Sequence, residues 1–81
     1  MTSFKEQGTE AFKVKDYEKA VELYSKATEE APTDHTIYGN RAAAYHQMGK
    51  YDEAMTDAEK CIELKPDWSK GYQRKAMALQ A

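Results

Sequence analysis

The chain is short of the residues that mark the commonest specialised chemistries. It has one cysteine, Cys61, so no disulfide can close within it, and a reducing compartment is expected. It has two histidines, His35 and His46, and neither has a metal-ligating partner three or four positions away. Serine, histidine and aspartate all occur, yet nothing in their spacing gathers a nucleophile, a base and an orienting acid. No apolar run is long enough to span a bilayer, and the first residues carry no signal-peptide pattern. Charge of one sign is lacking too: twelve cations against fourteen acids leave a net of −2 at pH 7. That balance argues against nucleic acid or an anionic membrane as a partner. The expectation is a non-enzymatic, cofactor-free, metal-free domain of the cytoplasm or nucleus, with cytoplasm the default.

What is present fits that class. Hydrophobic residues make up 41% of the 81 positions and charged residues 32%, an ordinary balance for a small folded helical protein. Proline is down to two residues, and these are 34 positions apart, Pro32 and Pro66. The same shift aligns Phe4 with Tyr38 and Tyr72, Gly8 with Ala42 and Ala76, and Tyr17 with Tyr51. It also aligns Ala20 with Ala54, Val21 with Met55, and Ala27 with Cys61. A ladder of size-matched positions at this period means an internal repeat, and small residues at fixed places point to stacked helical hairpins.

Each unit then reads as two helices. Ser3 with Glu6 makes a capping box for a helix running to about Lys13. After a turn near Lys15-Asp16 a second helix runs from about Glu18 to Glu30, with Ala20, Val21, Tyr24 and Ala27 inward, until Pro32 stops it. The second unit repeats this from about His35 to Met48 and from Asp52 to Leu64, with Gly49 suited to a left-handed cap between them. The central helix divides by spacing: Thr36, Gly39, Asn40, Ala43 and His46 on a quiet face, Ile37, Tyr38, Ala42 and Tyr45 on the core side. Arg41 and Lys75 are expected to pair with acids of adjacent helices. The units span 1–34, 35–68 and 69–81, the third holding only a first helix. Its back, Tyr72, Ala76 and Leu79, therefore lacks a partner, and self-association of an excised fragment through that face is expected.

These residues resemble a tetratricopeptide-repeat array along essentially the whole chain. The resemblance implies an all-α fold, a right-handed superhelical array of antiparallel hairpins. A finer likeness lies in Phe4-Lys5-Glu6-Gln7-Gly8, in Tyr38-Gly39-Asn40-Arg41-Ala42, and in the run from Leu64 to Ala76. It is similar to the dicarboxylate-clamp subclass of the stress-inducible, Hsp-organising co-chaperones. That subclass grips the acidic Glu-Glu-Val-Asp tails of the heat-shock 70 and 90 kDa chaperones. The resemblance implies a clamp of Lys5, Asn40, Lys70 and Arg74, with Thr9 standing where the family has asparagine.

Repeat geometry supports that assignment. First helices of successive units lie side by side along one concave surface, and all five residues fall on one stripe once the shift is applied. A terminal aspartate presents two carboxylates close together, a target for convergent cationic and amide donors. Phe12, Lys13, Ala43 and His46, further along the same surface, are candidates for contacts upstream of the tail. The competing reading is a structural interaction module whose groove is vestigial and whose hairpin backs mediate assembly.

Overall fold

The computed structural model describes residues 2–79. They form five α-helices: α1 (Phe4–Lys13), α2 (Tyr17–Glu30), α3 (His35–Gln47), α4 (Tyr51–Leu64) and α5 (Ser69–Leu79). Short turns fold α1 against α2 and α3 against α4 as antiparallel hairpins, and α5 adds to α4, so the architecture is an all-α helical array.

Local chemistry sets the boundaries. Ser3 caps α1 by accepting from the Glu6 N–H at 3.1 Å, and Asp16 caps α2 by accepting from the Lys19 N–H at 3.3 Å. The first hairpin turn is closed by the Asp16 N–H on the Ala11 carbonyl (2.9 Å) and the Lys15 N–H on the Phe12 carbonyl (3.0 Å). The second turn repeats this pair with Lys50 on Tyr45 (2.9 Å) and Gly49 on His46 (3.1 Å). Both are Schellman endings, which require a left-handed residue at the turn. Gly49 supplies it at φ 76°, as its sequence position predicts, whereas Lys15 adopts φ 65° with a side chain attached.

Small residues set the helix spacing. Ala20, Ala54, Ala58 and Cys61 are buried at the crossings, beside the larger buried side chains Tyr24 and Ile37. A Cβ on Gly8 would meet the Tyr24 ring at 2.7 Å, so only hydrogen fits where α1 crosses α2.

Helix α3 departs from its sequence reading in two ways. Ala43 and Gly39, expected on the quiet face, are both buried; at Gly39 a Cβ would meet the Trp68 ring at 2.8 Å and the Cys61 sulfur at 3.5 Å. At Gly39 the cause is Trp68, which folds back from the α4–α5 connection and meets the His35 ring edge-on at 4.8 Å. Tyr38 and Tyr45, expected in the core, are only partly buried. The Tyr38 hydroxyl donates to the Pro32 carbonyl at 2.9 Å, and both rings flank the Arg41 guanidinium at 5.6 and 6.0 Å.

That guanidinium forms the joint between the two hairpins. Its Nε and one Nη donate to the two carboxylate oxygens of Asp57 on α4, each at 2.7 Å, and its other Nη donates to Ser25 Oγ on α2 at 3.2 Å. Lys75 likewise pairs with Glu59 of α4 at 3.8 Å, so both expected cross-helix pairings form. On α5, Gly71 and Ala78 face inward, while Tyr72, Ala76 and Leu79 are exposed.

Candidate functional site

Helices α1, α3 and α5 are neighbours, α3 touching both of the others. Where they meet is a cleft of about 100 Å³ lined by Thr9, Phe12, Tyr24, Asn40, Ala43 and Arg74. Five of these six were singled out in the sequence: Thr9, Asn40 and Arg74 for a clamp, Phe12 and Ala43 for contacts upstream. The 34-residue shift puts Asn40 and Arg74 at the same phase of successive helices, so both side chains turn to the same side of the array.

Arg74 is the cation in this cleft. Its Nε is enclosed without a hydrogen-bond partner, and among the described residues it makes no ion pair and one side-chain hydrogen bond, a long one from Nη to the Met77 sulfur at 3.9 Å. An enclosed guanidinium N–H with no acceptor favours an arriving anion, because leaving a buried donor unmet is costly.

Thr9 is more constrained than its sequence position implies. Its hydroxyl donates to the Lys5 carbonyl one turn back at 3.1 Å and lies 3.0 Å from the Tyr24 hydroxyl. A hydroxyl has one proton, so with Thr9 donating to the carbonyl, Tyr24 is the donor in the second bond. Thr9 therefore has no spare proton for an incoming carboxylate. Burial raises the Tyr24 pKa, and the positive charge of Arg74 opposes it more weakly. Tyr24 was missed as a cleft residue. Its ring belongs to the core, as its helical position implies, but the residue also lines the cleft, its hydroxyl against Thr9, and no sequence signal distinguishes that from an ordinary core tyrosine.

The remaining candidates lie outside the cleft. Lys5 extends toward the α2–α3 turn, where Nζ meets Asp34 Oδ2 at 3.2 Å. Lys70 is exposed, with Nζ 5.9 Å from the centre of the Trp68 ring and no acid in ion-pair range among the described residues. Lys13 pairs with Glu10 of its own helix at 3.6 Å. His46 packs its ring 5.4 Å from that of Tyr51, and its Nδ1 is enclosed without a partner. A larger hollow, about 430 Å³, lies elsewhere, against Gln7, Glu10, Val14, Asp16 and Lys19. Two acids against one lysine make it a poor home for an anion. Among the described residues no three His, Cys, Asp or Glu side chains cluster as metal ligands, and no helix is long and apolar enough to cross a membrane.

Comparison with known proteins places this geometry in a family. A family model described as "Serine/threonine-protein kinase BSK1-like, TPR repeats" matches residues 1–81. The chain is 51% identical over 78 residues to the "Protein STIP1 homolog" of Dictyostelium discoideum, covering 96% of this chain and 14% of that protein. It is 47% identical over 72 residues to the "Heat shock protein STI1" of Saccharomyces cerevisiae, covering 88% of this chain and 12% of that one. The chain thus spans only about a seventh or less of the length of these relatives. Among solved structures, the TPR2B domain of yeast Sti1 in complex with pHsp70 superposes with a TM-score of 0.88 at 38% identity, over 90% of this chain and 58% of that chain. The second TPR of Spaghetti (RPAP3), bound to the HSP90 peptide SRMEEVD, superposes with a TM-score of 0.93 at 32% identity, over 95% of this chain and 71% of that one.

Proposed function

Since the chain belongs to the tetratricopeptide-repeat family, we propose that it is a peptide-binding co-chaperone module. Its ligand is the acidic Glu-Glu-Val-Asp-type C-terminus of heat-shock 70 or 90 kDa chaperones, and its place of work is the cytoplasm. The observation that carries the reading is the guanidinium of Arg74, half-buried, with no acid partner among the described residues, in a cleft between first helices that Asn40 also lines. The complexes of Sti1 with pHsp70 and of RPAP3 with an HSP90 peptide support the choice of ligand.

The chemistry follows from the donors. A terminal aspartate brings a main-chain and a side-chain carboxylate on adjoining atoms. Arg74 meets one of them with a planar fork, and charge-assisted bonds of this kind are roughly twice as strong as neutral ones. Asn40 adds amide donors from the floor and an oxygen able to accept a peptide N–H. Lys70, exposed at the rim of α5, and Lys5, at the start of α1, supply mobile point charges on either side. Phe12 and Ala43 offer apolar surface to the residues before the carboxylates, with Lys13 and His46 beyond them. The units 1–34, 35–68 and 69–81 each contribute one clamp-bearing helix on this reading.

The test is a fluorescence-anisotropy titration with a labelled peptide ending in Glu-Glu-Val-Asp, set against its C-terminally amidated twin. Amidation removes one of the two carboxylates and should weaken binding sharply. Arg74→Ala should cost about 1.5–3 kcal/mol, or about ten- to 150-fold, with the unfolding midpoint unmoved. Equal binding of the amidated peptide, or full affinity in Arg74→Ala, overturns the clamp. It would favour assembly through the hairpin backs instead, a reading that draws on the exposed Tyr72 and Leu79.

A further inference from the structure

Of the three cations in the clamp reading, two have no acid partner among the described residues and one does. Lys70 and Arg74 make no ion pair, whereas Lys5 Nζ lies 3.2 Å from Asp34 Oδ2. Asp34 is firmly held. Its Oδ1 caps α3, accepting from the Thr36 backbone N–H at 3.0 Å and from the Thr36 hydroxyl, so the carboxylate is anchored at the helix start and its second oxygen faces Lys5. The hollow that Lys5 borders is formed by Ser3, Ala27, Glu30, Ala31, Asp34 and Ile37, and shares no residue with the Arg74 cleft; of its two acids only Asp34 is in ion-pair range of Lys5.

We propose that Asp34 is a positioning residue that competes, as an internal carboxylate, with the peptide tail for Lys5. The proposal rests on the clamp reading above and extends it to a residue outside the clamp. For Lys5 to reach a bound carboxylate it must leave one already in place, so the exchange returns little net attraction. The negative charge left at Asp34 also opposes an incoming dianion, an effect that weakens with salt. Burial raises the Asp34 pKa, but hydrogen bonds from Thr36 and from Lys5 outweigh it and hold the carboxyl below its ordinary value, so it is charged at neutral pH. The consequence is a lopsided clamp: the α5 wall, Lys70 and Arg74, carries the anion, and the α1 wall contributes little until Asp34 is neutralised.

Asp34→Asn is the informative substitution, because asparagine caps a helix as well as aspartate while removing the charge. Asp34→Ser, which also caps, guards against an effect peculiar to asparagine. Both should stay folded, with an unfolding midpoint lowered only slightly by the loss of the Lys5 ion pair, and bind the Glu-Glu-Val-Asp-ending peptide about two- to fivefold tighter, the span of a partly exposed ion pair. Lys5→Ala supplies the readout that a merely structural role would not move. It should cost wild type less than about twofold, and should cost the Asp34→Asn protein about the whole of its gain. Unchanged or weaker binding in both Asp34 variants, or an equal cost of Lys5→Ala in the two backgrounds, overturns the proposal and leaves the clamp standing. If wild type and Asp34→Asn both fail to bind the peptide, the clamp reading falls and this proposal falls with it.

Discussion

Arg41→Ala is the substitution from which the structure predicts the largest loss of stability. The guanidinium makes two 2.7 Å bonds to Asp57 and a third to Ser25, tying α2, α3 and α4 at one point. The hydrogen bond to Asp57, ahead of the opposing cost of burial, raises the Arg41 pKa further above its ordinary value. Truncation leaves the Asp57 carboxylate, 6% exposed, with no hydrogen-bonding partner. Removing one member of a buried pair costs about 3–5 kcal/mol. Since the Arg41 side chain is itself 18% exposed, water can enter the gap, and the lower end of about 3 kcal/mol is expected here. A chain of this size has a total stability of only about 4–12 kcal/mol, so the variant should lose a large share of it. Its midpoint should fall by about 12 °C or more, at about 4–8 °C per kcal/mol. Urea unfolding followed by far-ultraviolet circular dichroism measures the loss. The double variant Arg41→Met with Asp57→Leu should recover most of it, since replacing both charges removes the stranded carboxylate. A loss below about 1 kcal/mol in Arg41→Ala, or no recovery in the double variant, refutes the view that this pair carries the joint.

Two further outcomes follow from single contacts. Thr9→Asn should tighten peptide binding by about 0.5–1.5 kcal/mol, the net worth of one hydrogen bond; the threonine proton is already committed to the Lys5 carbonyl, and the asparagine amide brings donors that reach further into the cleft. Titration of the acidic peptide against both proteins decides it, and no gain refutes the argument. Lys15→Gly should raise stability by about 0.5–1 kcal/mol in urea unfolding, by relieving a left-handed lysine at a turn where the second hairpin already has glycine; a loss would show that the lysine side chain makes contacts outweighing its strain.

The repeat made most of the fold legible. Matching Ala20 to Ala54 and Ala27 to Cys61 located the buried crossings, and Pro32 with Pro66 located the helix ends. What the repeat hides is any position where two units do different jobs. Trp68 is the equivalent of Asp34 under the 34-residue shift, yet one covers Gly39 with a ring and the other caps α3 and holds Lys5. Spacing within α3 alone put Gly39 on the quiet face, and nothing in the repeat attached Lys5 to a partner. Helical periodicity tells which way a side chain leaves its helix, not what it meets across a turn. For the same reason Tyr24 was read as core alone: the period buries its ring correctly but says nothing of the far end, where the hydroxyl meets Thr9.

A protein with a net charge of −2 offers a cationic cleft because of pairing rather than composition. A step of one residue along a helix turns a side chain by about 100°. Asn40 and Arg74 face the cleft, so Arg41 and Lys75, one residue on, face the neighbouring helix, and there each finds an acid of α4, Asp57 or Glu59. No acid lines the cleft itself. The cations one residue on are paired across the hairpin, and Arg74 at the cleft phase has no acid partner among the described residues. Lys5 is the exception among the cations of the clamp reading, paired where Lys70 and Arg74 are not, and its partner Asp34 lies in the connection between units, where the repeat places no such constraint. On the proposed reading tail affinity is set partly by a residue in a turn, and substitutions in the α2–α3 connection should tune the clamp without touching any residue that lines it.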